Sequence, residues 1–127
     1  VRGLAVAAAA LLALAGCLRD ETVAGYGAAD RDWRLAEMDG TDFAGTATLR
    51  FPTRGRIAGL APCGPWQGRM VTPYPWFELD AVQTASPGCG TDIVLAALAE
   101  MSLSEVSGPV LILSNGAGRM MVFRSDG

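Results

Sequence analysis

The sequence predicts an α+β domain of short antiparallel strands with a single helix. Two observations carry that prediction. Apolar and polar residues alternate with period two in several short runs punctuated by Gly, Pro, Asn and Asp, and one segment, Ile93 to Met101, continues without a breaker. A third observation, the cysteines Cys63 and Cys89 in the middle of the chain, points to a covalent staple across those elements.

Near the amino terminus, Arg2 precedes an apolar run from Leu4 to Gly16 in which Ala and Leu dominate. The run is too short to cross roughly 30 Å of hydrocarbon as a helix, and it has the build of a secretory signal. Leu14-Ala15-Gly16-Cys17 resembles the lipobox of bacterial lipoproteins, with small residues at the two positions before the cysteine. That resemblance implies a signal peptide over residues 1–16 and a diacylglycerol thioether on Cys17. The competing readings are an ordinary signal peptide that ends near a cysteine and an internal apolar helix. Leu18 follows the cysteine in place of aspartate, which by the common sorting rule implies the outer membrane, facing the periplasm. Residues 17–32 mix charge with Gly and Ala without periodicity, so they are expected to be the lipidated cysteine and a flexible tether.

Residues 33–127 are expected to form the domain. Trp33 and Leu35 alternate with Arg34 in a first strand, and Asp39-Gly40 supplies a turn. Thr46 to Phe51 sets Ala47, Leu49 and Phe51 on one face against Thr46, Thr48 and Arg50 on the other. Pro52 to Gly55 breaks the run, and Arg56 to Leu60 returns as the second arm of a hairpin. After a bend at Pro62 to Pro65, Trp66 to Val71 pairs again. Beyond the Tyr74-Pro75-Trp76 corner, Phe77, Leu79 and Ala81 are expected to face in, and Glu78 and Asp80 to face water.

Thr91 is the expected N-cap of the helix, with Asp92 at its positive end and Val94, Leu95, Leu98 and Met101 on one stripe. A helix so poor in charge is expected to be cradled against a sheet. Leu103 to Val106 reads as a short strand and Val110 to Leu113 as a central, well-covered one. The loop at 115–118 then leads into a closing strand, Arg119 to Arg124, with Met121 and Phe123 inward.

With Cys17 lipidated, Cys63 and Cys89 remain as an even pair in an exported chain, which reads as a disulfide. A redox-active pair would need close spacing such as Cys-x-x-Cys, and a zinc site would need four ligands where two cysteines and no histidine are available. From Leu18 onward nine arginines and no lysine stand against thirteen acids, a balance of 9 − 13 = −4. Such a balance argues against nucleic acid as a partner.

From Trp33 to about Phe123 the order of residues resembles the META domain, the family of HslJ-like bacterial lipoproteins. The matching positions are Trp33-x-Leu35 leading to Asp39-Gly40, the strand ending at Phe51, Ile57-x-Gly59 before Cys63, Trp66 with Gly68, Thr84 before Cys89, and the apolar strands around Leu111 and Phe123. Gly64 stands where the family usually has asparagine, Met70 where an aromatic is common, and the spacing from Thr84 to Cys89 is one residue longer. The resemblance implies a small, strongly curled antiparallel sheet, an incomplete barrel, wrapped around one helix. It also implies an envelope protein, in a family whose molecular activity is mostly unassigned.

The absence of histidine removes Ser-His-Asp and Cys-His sites and a histidine base. Glu78 and Asp80 share a strand face, but the alternation makes that face the solvent side. Gly64 to Gly68 and Gly116 to Gly118 read as turn chemistry, since neither joins a strand to a helix in a nucleotide-binding pattern. Arg50, Arg54 and Arg56, with Arg69 nearby, form either a patch for anionic lipid or glycan phosphate or an edge guarded against aggregation. Trp66, Tyr74 and Trp76 form either an aromatic binding surface or buried corner packing.

The sequence therefore reads as a monomeric, lipid-anchored, disulfide-stabilised envelope protein that binds partners or supports the envelope under stress. It is expected to be no enzyme and to need no metal or cofactor. Its expected partners are the membrane, through Cys17, and an envelope protein. A small protein-binding or inhibitor module is the chief alternative, and an enzyme of unknown type the other.

Overall fold

The computed structural model describes residues 19–126, so Cys17 and the signal peptide expected over 1–16 lie outside the described residues. A short 3-10 turn, Val23–Tyr26, precedes β1 (Trp33–Met38), β2 (Thr41–Asp42), β3 (Thr48–Leu49), β4 (Arg56–Ala61), β5 (Gly64–Arg69) and β6 (Asp80–Thr84). The helix α1 (Thr91–Glu100) follows, and β7 (Leu103–Ser107), β8 (Val110–Ser114) and β9 (Met120–Arg124) complete the chain. The larger sheet has the order β2-β1-β9-β8-β7, with β3 also on β1, and the smaller one β4-β5-β6. Every pairing is antiparallel.

Period-two alternation explains most of this. Ala47, Leu49 and Phe51 are buried, as are Leu111 and Leu113 on β8 and Met121 and Phe123 on β9. These side chains meet Trp33, Leu35, Ile57, Phe77 and one stripe of α1 in a single core. Fully burying an aromatic or aliphatic side chain of this size stabilises a fold by about 1.5–3 kcal/mol, so the shared core holds the two sheets together.

The antiparallel α+β architecture stands as expected, but the single strongly curled sheet, the incomplete barrel, is replaced by two sheets. They are linked by isolated bridges: Arg50 with Ala58 joins β3 to β4, and Trp76 with Leu103 joins the proline corner to β7. At Gly59 an added Cβ would lie 1.8 Å from the Thr48 carbonyl oxygen, so only glycine lets β4 pass this close to β3. The Thr48 hydroxyl accepts the Leu60 amide at 3.0 Å.

Three further expectations are corrected. The strand expected to carry Phe77, Leu79 and Ala81 inward begins only at Asp80; Phe77 is buried, but Ala81 is exposed with φ at 52°, a left-handed turn that ends the alternation. The cap of α1 is Gly90, not Thr91, which is the first helical residue and wholly buried. The flexible tether expected up to residue 32 is instead folded from Asp20 onward. Its carboxylate accepts the Thr22 amide and hydroxyl at 2.9 and 2.7 Å, and Val23, Ala24 and Ala28 belong to the core. Small side chains give no amphipathic signal, yet they allow close packing, and the buried Trp33 indole donates to the Ala28 carbonyl at 2.9 Å.

Candidate functional site

Cys63 lies in the turn between β4 and β5, and Cys89 just before α1; their Cα atoms are 5.4 Å apart, at disulfide distance. The Thr91 hydroxyl accepts the Cys63 amide at 3.0 Å, so the β4–β5 turn is tied to the start of the helix twice. Gly64 has φ at 152°, and a Cβ there would meet the Ser86 hydroxyl at 3.1 Å, which accounts locally for glycine at this position. Met70 is buried in the core. These residues hold the sheet on the helix and offer no reactive group.

The three aromatic residues expected to share a surface do not share one. Trp66 points inward and is 3% exposed, because it alternates with Pro65 and Gln67 on β5. Trp76 is 57% exposed. Tyr74 is half-buried and stacks on Tyr26, with ring centroids 4.7 Å apart and planes 14° apart. Tyr26, itself 43% exposed, was missed in the sequence because it lies in the segment taken for a tether. The only available signal was an aromatic flanked by two glycines, Gly25 and Gly27. The Tyr74 amide donates to the Glu21 carbonyl at 2.7 Å, and the Arg19 guanidinium lies 5.4 Å from the Tyr26 ring centroid.

The arginines are brought together only in part. Arg56 and Arg69 are directly opposite on β4 and β5, exposed, with Asp80 opposite Arg69 on β6. Arg54 is turned away, donating to the Arg19 carbonyl at 2.8 Å. Arg50 lines a shallow cleft with Asp30, Arg31 and Asp32, whose carboxylates offset the cations and weaken it as an anion site. Glu78 and Asp80 form no acid/base pair: Asp80 accepts the Ala81 amide at 2.8 Å, and both side chains are exposed.

A polar cluster that the sequence did not reveal joins three distant turns. Arg119 reaches Asp39 at 2.8 Å and also pairs with Glu100 at the end of α1. Its hydrogen bond holds the Asp39 carboxyl below the usual carboxylate range, with the Met120 amide acting in the same direction, and the Arg119 guanidinium is correspondingly held charged. All three groups are substantially exposed, so the cluster is a surface clasp. An open cleft of about 480 Å³ is lined by Pro65, Trp66, Gln67, Gln83, Thr84 and Ala85, and none of these is a general acid or base.

The fold is similar to solved structures at low sequence identity. A DUF4847 family protein from Bacteroides vulgatus is similar over 78% of this chain and 94% of its own, with a TM-score of 0.66 at 12% identity. A protein from Burkholderia xenovorans, solved by NMR, is similar over 82% of this chain and 87% of its own, with a TM-score of 0.61 at 18% identity. No curated protein matches the sequence. The META domain family matches residues 27–127, which includes both cysteines of the staple and every strand of the two sheets; the chain belongs to the META domain family.

Proposed function

We propose that this chain is a bacterial envelope lipoprotein, anchored by lipid at Cys17 in the outer membrane and facing the periplasm. In this reading its META domain acts by binding, not catalysis, and supports the envelope under stress. Trp76 carries the binding half of the reading: a large, rigid, amphipathic side chain left 57% exposed on a fold that buries its other two tryptophans. The open cleft of about 480 Å³ beside β5 and β6, lined by proline, glutamine, threonine and alanine, is a surface for contact and suits a binding role.

The anchor is tested by metabolic labelling with a lipid precursor, followed by intact mass. Label on the native chain and none on Cys17→Ser is the expected result; an unmodified Cys17 in a chain cut elsewhere removes the anchor. A second reading, a small protein-binding or inhibitor module, is favoured by the same exposed Trp76. It predicts that a partner captured by the native chain is lost on Trp76→Ala, while Trp66 has no part in the contact because it is buried.

A further inference from the structure

We infer that the aromatic corner sits on the lipid interface that carries the anchor, so that the domain lies on the membrane without a spacer. The inference rests on the proposed lipidation of Cys17. Arg19 is only two residues beyond that cysteine, and two extended residues span at most about 7 Å. Arg19 is itself held, its carbonyl by Arg54 and its guanidinium over the Tyr26 ring. A lipid chain on Cys17 therefore leaves the protein beside the Tyr26–Tyr74 stack, with Trp76 two residues further along the corner.

The chemistry of this end fits the water–lipid boundary. Tyr26, Trp76 and Val71 are 43%, 57% and 55% exposed, and tyrosine and tryptophan partition to the headgroup level, where one part of the ring is apolar and the other wet. Val71 lines one small cleft with Asp20, Glu21 and Arg54, which places it at the same end of the molecule. The acids there do not create a repulsive face. Asp20 is turned back on Thr22, and Glu21 accepts the Tyr26 hydroxyl at 3.4 Å. Arg19 and Arg54 are balanced by Asp20 and Glu21, and the neighbouring Arg56 and Arg69 are partly offset by Asp80, so the contact rests mainly on ring insertion and little on anionic lipid.

The test uses the lipid-modified full chain, reconstituted in phosphatidylcholine vesicles with and without bromine on the upper acyl chain, which quenches nearby indoles. Trp33 and Trp66 are buried, so Trp76 is the tryptophan that bromine can reach. The expected result is loss of roughly the emission share of one tryptophan in three, abolished by Trp76→Phe and little changed by 0.5 M salt. A chain of lipidated mass whose emission is unquenched overturns the inference while leaving the anchor intact; an unlipidated mass overturns the anchor itself. Trp76 unquenched by lipid but shielded by a co-purifying protein assigns the corner to a protein and likewise overturns it.

Discussion

Trp33 and Trp66 are both buried, but only the Trp33 indole nitrogen has an acceptor, the Ala28 carbonyl; Trp66 Nε1 finds none among the described residues. Replacing either by Phe removes similar ring volume, so the difference isolates one buried hydrogen bond. Trp33→Phe strands a buried carbonyl and is expected to cost about 1–3 kcal/mol more than Trp66→Phe in chemical denaturation. Asp39 supplies the pH-dependent prediction. Its carboxyl is held below the usual carboxylate range, chiefly by the Arg119 hydrogen bond, so its contribution is present above about pH 4 and disappears as pH falls through the lowered value. Native chain and Asp39→Asn should differ in stability at pH 7 and converge on acidification. A constant difference across that range would show that Asp39 acts through packing alone.

At the scale of elements, the staple and the Thr91 bond fix α1 to the turn between β4 and β5. Closing a loop over a separation of 26 residues removes about 3 to 4 kcal/mol of chain entropy from the unfolded state. Cys63→Ser with Cys89→Ser is expected to lower the midpoint of thermal unfolding accordingly; an unchanged midpoint would show that packing against Val94, Ala97 and Leu98 suffices. Elements with a strong period were legible: the inward Ala47, Leu49 and Phe51, the pairing of β8 with β9, and the helix itself. Others were not. Ala81 breaks the alternation through a backbone angle that its side chain does not announce, and the need for glycine at position 59 comes from the Thr48 carbonyl, which meets it only once β3 and β4 are packed. In the candidate site, Tyr74 and Trp76 were legible as a proline corner. Their partner Tyr26 was hidden, because glycine and alanine read as a tether until Val23, Ala24 and Ala28 are seen in the core.

For the whole molecule, the consequence is that the fold begins within two residues of Cys17, the proposed anchor. The segment expected as a spacer supplies core side chains, an acceptor for Trp33 and a carbonyl for Tyr74, so cutting within it removes part of the domain. The proposed membrane-seated corner depends on that arrangement, since it requires Arg19 and the Tyr26–Tyr74 stack to be held together. Amide hydrogen exchange in the lipid-modified full chain measures this most directly. The account predicts that the amides of Ala28, Ala29 and Tyr74, which donate to Val23, Ala24 and Glu21, exchange far more slowly than a free peptide, with protection approaching that of β8. Exchange of all three at free-peptide rates would mean that the segment is a tether after all, and would contradict the account.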